Sequence, residues 1–284
     1  MVKSLALLAP FNWFLMAYVN YRVFVSMQVN HAESYNNILV PAIFQPWAHL
    51  ICKHIKQGDN VLDAGCGTGV ITRQAIEQVG SNGSVTGIDL NQNMLDIAKS
   101  RSSSDIEWFQ ADVTELPFDD NQFDVVTCQQ VLQFVPDKQK ALDELYRVLR
   151  PNGRLTLAVW KSAEHSPGWK ALQDSLSEII NEPYPLPPFS FDQPNKIEAL
   201  ATTAGFKNIA LSTVTKQTHF KQTSDFVFGI VEGSQNMLGK LSELAGDIDG
   251  IRVINQKMEI KLSTYIDDKG LTFDQPNNVL HAIK

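Results

Sequence analysis

The sequence has few cysteines: Cys52, Cys66 and Cys128 are the only three in 284 residues. An odd, low count with no framework spacing excludes a disulfide scaffold and points to a reducing compartment. There is no CxxC pair and no His/Cys cluster at zinc spacing, so no metal site is expected. The chain also lacks a basic surplus. Lys and Arg total 24 against 31 Asp and Glu, for a net charge of −7. Neutralising a phosphate backbone needs a basic face, so no nucleic-acid partner is expected. Internal repeats and low-complexity tracts are absent. What remains is ordinary globular usage, 44% hydrophobic and 19% charged, in a chain long enough to bury its own core. Nothing in the sequence addresses oligomeric state.

Long apolar runs are missing except near the start. Residues 4–21, SLALLAPFNWFLMAYVNY, carry no charge and lie between Lys3 and Arg22. The run is marginal in length for a membrane span, and Pro10, Asn12 and Asn20 interrupt it. No small-residue cleavage site follows, so a secretory signal fits poorly. Three readings stay open for residues 1–30: a cover helix, a membrane anchor, or an extension ahead of a start near Met27. Cytoplasmic residence is expected, with membrane association through residues 4–21 as the secondary reading.

The rest alternates. A helical pattern at 45–55 precedes a short apolar strand at 60–64. A helix at 68–79, a strand at 84–89 and a helix at 91–100, with Asn91 as its N-cap, come next. Strands are expected at 106–110, 123–128 and 154–160, with a helix at 138–149. Alternating strands and helices predict a doubly wound, Rossmann-like α/β sheet. Beyond Trp160 the pattern changes. Residues 181–194 read as an extended excursion and 196–204 as a helix ending at Gly205. Two strands are expected at 206–214 and 216–221. Helices are expected from 225 towards 244 and over 250–265, with a last strand at 272–284. Residues 225–265 have no place in the alternating sheet, which makes them a helical cap insertion over the substrate.

The chemistry concentrates at strand ends. Residues 61–69, VLDAGCGTG, run from a strand through a glycine loop into a helix. Glycines permit a tight turn and close approach of backbone to ligand, and a helix N-terminus favours negative charge. A dinucleotide fingerprint would need glycine at position 70, which is Val70. A P-loop would need Lys after the loop, and none follows. Asp89 ends the second strand, about twenty residues past the loop, where a carboxylate can accept both ribose hydroxyls. Asp112 follows the third strand. There it can accept from an adenine amine, with the Val113 amide donating to the ring, or simply cap a turn.

The string VLDAGCGTG resembles the hallmark loop of the class I S-adenosylmethionine-dependent methyltransferases. The string FDVVTCQQVLQFVPD at 123–137 and the turn LRPNG at 149–153 are also similar to that family. The likeness runs from Tyr35 to about Trp160. It is nearest to the small-molecule branch that includes ubiquinone/menaquinone-type C-methyltransferases, whose lead-in helices the segment at 32–48 resembles. The resemblance implies a class I methyltransferase fold over residues 31–284 and S-adenosyl-L-methionine as cofactor. It implies that Asp63 and the backbone of Gly65, Cys66, Gly67, Thr68 and Gly69 lie beside the cofactor's ammonium and carboxylate. Asp89 would take the ribose, Leu90 and Met94 would flank the adenosine, and Asp112 and Val113 would meet the adenine. Cys128 and Gln129 would lie beside the methionine portion, and Tyr35 would close over the cofactor. Gln130 and Gln133 would face the substrate or the sheet edge.

The activity implied is methylation of a small apolar or aromatic acceptor at carbon or oxygen. A sulfonium methyl is already activated, so the protein must chiefly align the acceptor and exclude water. No catalytic residue can be assigned from sequence. If a base is needed, His31, His165 and His219 lie outside the expected core elements. Phe226, with Phe228, Ile230, Val231, Met237 and Leu238, would supply an apolar acceptor pocket. Cys66 and Cys128 read as packing residues rather than nucleophiles. Two alternatives stand beside this activity: a non-catalytic S-adenosylmethionine-binding module and an NAD-type oxidoreductase, the second disfavoured by Val70.

Overall fold

A computed structural model of the chain describes residues 31–103, 105–233 and 248–284. The apolar run at 4–21 and the expected pocket residues Met237 and Leu238 lie outside the described residues. The sheet comprises β1 (Asn60–Ala64), β2 (Ser84–Asp89), β3 (Ile106–Gln110), β4 (Phe123–Gln129), β5 (Leu149–Trp160), β6 (Lys207–Phe220), β7 (Ile266–Asp267) and β8 (Gly270–Ile283). Its order is β3-β2-β1-β4-β5-β8-β6, with the short β7 paired to β8. Strands β1 to β5 run parallel, and β8 is antiparallel to both β5 and β6. The helices are α1 (Val70–Val79), α2 (Gln92–Ser100), α3 (Lys138–Val148), α4 (Pro167–Ile180), α5 (Pro194–Ala204), α6 (Thr223–Gly233) and α7 (Ile248–Lys261). The doubly wound class I methyltransferase fold expected from the sequence is the one found.

The central strands are apolar on both sides because helices cover both faces. Side chains alternate between the two cores, as a period of two requires. Val61 and Val125 face a core shared with Trp47, Ile51 and the α1 residues Ile71 and Ala75. Their neighbours Leu62 and Val126 face the opposite core, built on Leu142 and Leu145 of α3 and Ile197 of α5. Strand β6, at the sheet edge, is mostly exposed.

A third core groups residues of α4, α6 and α7 with a lead-in segment. That segment starts as a short α-helix at His31–Ser34 and continues as a π-helix at Tyr35–Phe44, which contains Pro41. Pro41 has no N–H to donate, which fits a wider turn. The region 45–55 is helical, as expected, but in three pieces: Gln45–Trp47, Ala48–Ile51 and Cys52–His54.

Three expectations need correction. The two strands at 206–214 and 216–221 are one strand, β6. Its register against β8 runs unbroken from Ala210 to Phe220, so Thr215 sits opposite Pro276 rather than in a turn. Helix α4 is not among the elements expected from the sequence. The helix expected over 250–265 ends at Lys261, and a 3₁₀ turn at Ser263–Tyr265 follows. The helix starting near 225 is α6, and its continuation past Gly233 lies outside the described residues. Among the described residues no helix is long and apolar enough to cross a membrane.

Asn91 caps α2 as its sequence position predicts: its side-chain oxygen accepts from the Asn93 amide at 3.0 Å. Asn91→Ala should therefore cost about 1 kcal/mol, a fall of about 2–4 °C in melting temperature for a domain of this size. Urea and thermal denaturation check this, and an unchanged midpoint would show that the cap carries no stability.

Candidate active site

Ligands of doubly wound sheets bind at the carboxyl ends of the strands, at the point where strand order reverses. Here that point lies between β1 and β4. A cavity of about 610 Å³ opens there, lined by residues that follow β1, β2, β3, β4 and β5. The lead-in segment and α6 roof it through Tyr35, Leu39, Ile43, Phe44 and Ile230.

The glycine loop forms one edge. Gly65 adopts φ +72°, a left-handed conformation that favours glycine. A Cβ there would also lie 2.2 Å from Val131 Cγ2, so the β1 and β4 loops touch at the switch point. Gly67 is different. At φ +54° its missing side chain would meet only the Tyr35 ring edge and hydroxyl, near 3.8 Å. The space beside Gly67 is therefore left for a ligand, with Tyr35 across it.

The loop is held from below. The Cys66 amide donates to the Ile88 carbonyl at 2.7 Å, and the Gly67 amide to Asp89 Oδ2 at 2.8 Å. Asp89 Oδ1 accepts from the Asn91 amide at 2.8 Å. Burial raises the Asp89 carboxyl above its ordinary range, and these amides hold it back. Asp63 is buried at the end of β1. Its two oxygens accept from Thr72 Oγ1 at 2.6 Å and Thr127 Oγ1 at 2.9 Å. Burial still pushes this carboxyl up to about 6. Burial, with the nearby Asp89, also raises the Tyr35 phenol.

Most residues singled out from the sequence converge on this place. Tyr35, Gly65, Gly67, Asp89, Leu90, Met94, Asp112, Val113 and Gln129 line the cavity. Asp63, Cys66 and Thr68 line a small recess that shares Tyr35, Phe44, Gly65, Gly67 and Gln129 with the cavity. Asp112 is exposed, and its Oδ1 accepts from both the amide and the hydroxyl of Thr114 at 2.8 Å, so it also closes a turn. Thr114 holds its carboxyl below the usual range.

Others fall elsewhere. Gly69 starts α1 in a left-handed conformation and is not on the wall. Cys128 is 1% exposed and packs behind it, its thiol pushed up to about 12 by burial. Gln133 is buried behind the wall and donates to Gln130 Oε1 at 2.9 Å. Phe226 is fully buried in the third core, edge-on to Trp169, one layer behind the cavity. It reaches the cavity only through Trp169 and through its neighbour Ile230, which does line it. Of the three histidines, His31 is on the wall. His165 bonds Ser162, and His219 bonds Thr272 on the exposed edge of the sheet.

The far wall of the cavity is not among the features expected from the sequence. Phe44, Phe134, Trp160 and Trp169 line it together. Trp160 has its ring centroid 6.3 Å from Phe44, 6.0 Å from Phe134 and 5.6 Å from Trp169, and it stacks on Phe189 at 4.9 Å. One signal was available, since Trp160 is the last residue of a parallel strand and so sits at its ligand end.

Comparison with known proteins agrees with this geometry. Residues 62–157 match the family model described as a methyltransferase domain. The chain is 32% identical over 213 residues to a demethylmenaquinone methyltransferase of Staphylococcus carnosus, covering 69% of this chain and 88% of that protein. It is 42% identical over 107 residues to a 2-phytyl-1,4-naphtoquinone methyltransferase of Nostoc sp., covering 36% of this chain but only 47% of the relative's length. Among solved structures it is similar to phosphoethanolamine N-methyltransferase 2 of Haemonchus contortus bound to S-adenosyl-L-methionine. The TM-score is 0.54 at 24% identity, over 84% of this chain and 52% of that one. The [4+2]-cyclase SpnF matches at TM-score 0.53 and 20% identity, over 84% of this chain and 81% of that one. At such identities the structural likeness speaks for the fold alone.

Proposed function

The chain belongs to the class I S-adenosylmethionine-dependent methyltransferases, and from that premise we propose that it methylates a ring carbon of a reduced, quinone-type aromatic acceptor. The observation that carries the proposal is the aromatic wall of Phe44, Phe134, Trp160 and Trp169 at the β4–β5 end of the cavity. Aromatic rings pair favourably at the spacings found there. The names of the two quinone methyltransferase relatives point the same way.

The residues at the other end of the cavity fit the cofactor. The left-handed glycines leave a cradle free of side chains, and Asp89 and Asp112 stand at consecutive strand ends. We assign Gly65, Cys66, Gly67 and Thr68, with Asp63, to its amino-acid end. Thr68 Oγ1 is buried without a partner, which suits a ligand group. Asp89 would accept the ribose hydroxyls, Leu90 and Met94 would cover the adenosine, and Asp112 and Val113 would meet the adenine. Gln129 lines both spaces, and its Nε2 donates to the Phe44 carbonyl at 3.3 Å, tying the roof to β4. When bound, the cofactor supplies a methyl group already activated by a sulfonium.

The protein's own work is then alignment and exclusion of water. Tyr35, Leu39, Ile43 and Phe44 roof the space, and α6 packs on them. A quinone ring carbon is electron-poor and a poor nucleophile, whereas the quinol carbon ortho to a hydroxyl is electron-rich. The reading therefore requires the reduced acceptor, and His31 on the wall is placed to take a quinol proton. Residues 225–265 would serve as the substrate cap, since α6 contributes Ile230 to the wall. The acceptor and cytoplasmic residence belong to the proposal alike.

The test is direct. Purified protein with labelled cofactor should transfer label to a ring carbon of a 2-prenyl-1,4-naphthoquinol under reducing conditions, and not to the oxidised quinone. Binding of the cofactor with no transfer to any quinol would overturn the acceptor and favour a non-catalytic binding module.

A further inference from the structure

The end of the cavity assigned to the acceptor holds buried polar atoms without partners. Trp160 is 2% exposed and lines the cavity. Its indole Nε1 has no hydrogen-bond partner. An indole N–H is a donor only and has no alternative orientation of its atoms. Leaving such a donor dry costs stability, so buried indoles normally find an acceptor. The rings around it, Phe44, Phe134, Trp169 and Phe189, offer none.

A second group stands on the adjoining strand. Gln129 of β4 pairs with Ala158 of β5, so Gln130, which follows β4, and Trp160, which ends β5, stand at the ends of neighbouring strands, and both line the cavity. Gln130 is held at φ +58°, a left-handed conformation rare for a side chain of its size. Its amide nitrogen donates to the Ala158 carbonyl at 2.8 Å, which fixes that turn. One end of its side-chain amide is engaged by Gln133 and the other is buried without a partner. Two residues of one cavity wall thus each carry a buried polar nitrogen without a partner.

We propose that the Trp160 indole N–H is a specificity-determining donor that binds a ring oxygen of the acceptor, with the Gln130 amide beside it. The proposal rests on the reading of an oxygen-bearing aromatic acceptor given above. Trp160 thereby selects rings that carry an oxygen at the position it faces. It also fixes the ring's rotation in its own plane, which aromatic stacking alone leaves free. The methylated carbon is then set by its distance from that oxygen. Trp160 acts on binding and orientation and takes no part in bond making.

The closing experiment compares two ligands on two proteins. The ligands are the 2-prenyl-1,4-naphthoquinol and a 2-prenylnaphthalene of the same shape without ring oxygens, the second measured as a competitive inhibitor. Wild type should hold the quinol about ten-fold more tightly than the oxygen-free ring, the size of one well-formed hydrogen bond. Trp160→Phe keeps the stacking on Phe189 and removes the donor. It should raise KM for the quinol about ten-fold and leave the inhibition constant of the oxygen-free ring and the cofactor affinity unchanged. An unchanged cofactor affinity also certifies that the variant is folded. Equal weakening of both ligands would mean that Trp160 is only wall, and would overturn the proposal. So would a wild type that does not distinguish the two rings. If wild type transfers no methyl group to the quinol, the acceptor reading itself fails, and the oxygen named here falls with it.

Discussion

Asp89→Ala is expected to weaken cofactor binding by at least about 100-fold, because hydroxyl bonds to a charged acceptor contribute roughly 1.5–3 kcal/mol each. The carboxylate does two things at once. It faces the cavity at the end of β2, and its Oδ2 holds the Gly67 amide at 2.8 Å. Removing it takes away the acceptor for the ribose and also frees the loop that forms the cradle. Asp89→Asn is intermediate, since its one amide oxygen can still accept from Gly67 while the charge and the bond from the Asn91 amide are lost. Calorimetric titration with the cofactor should order the affinities as wild type, then Asn, then Ala. Stability should not fall in the same order, because burial already makes the charged form of Asp89 unfavourable. An Ala variant that binds normally would remove Asp89 from the site and with it the orientation assigned to the cofactor.

How much of this was legible depended on how local the signal was. The glycine loop, Asp89 and Asp112 were readable because each lies at the end of a strand whose apolar run is visible in the sequence. Parallel strands bring their carboxyl ends to one edge, so three separated motifs became one site by topology alone. The aromatic wall was not readable in the same way. Phe44 comes from a π-helix, Phe134 from a single 3₁₀ turn, Trp160 from a strand end and Trp169 from α4. Nothing in the spacing of those four residues announces that they meet. Helix α4 was legible, since Trp169, Leu172, Leu176 and Ile179 recur at helical spacing and Pro167 stands in its first turn, where proline is favoured; only Gly168 weakens the signal. Gly168 is there because Phe273 leaves no room for a Cβ, which would sit 2.3 Å from the ring. Phe226 shows the opposite error. An apolar residue on a cap helix reads equally well as pocket or as core, and only packing against Trp169, Phe220 and Phe273 decides for the core.

The half of the site assigned to the cofactor and the half assigned to the acceptor are thus built by different rules. The fold likeness extends to a cyclase as well as to an N-methyltransferase, so the sheet alone does not select a reaction. Selection has to lie in what covers the strand ends, here the lead-in π-helix, α4 and α6. Changes in those three elements should alter acceptor choice while leaving the cofactor end intact.

Asp63→Asn should make the protein more stable at neutral pH, and by a margin that depends on pH. Asp63 is 1% exposed, and burial raises its carboxyl from the ordinary 3.8 to about 6 despite bonds from Thr72 and Thr127. A raised carboxyl favours the folded state while protonated and opposes it once ionised. Its contribution is therefore most favourable below pH 3.8, declines as pH rises towards 6 and is constant above that. The gap corresponds to a cost of about 3 kcal/mol at neutral pH. Asparagine does not titrate, and its amide can still accept from one threonine while donating to the other hydroxyl. The difference in unfolding free energy between variant and wild type should thus grow between pH 4 and 6 and level off near 3 kcal/mol, all in the variant's favour, as read by urea denaturation at a series of pH values. A difference that does not change with pH would show that Asp63 ionises without penalty. The stabilised variant should also bind cofactor more weakly, because no cation among the described residues pairs with this buried carboxylate and an ammonium group would relieve it. On the proposed assignment, the unfavourable charge on Asp63 in the free protein would be a source of affinity in the complex, and replacing it would exchange binding for stability.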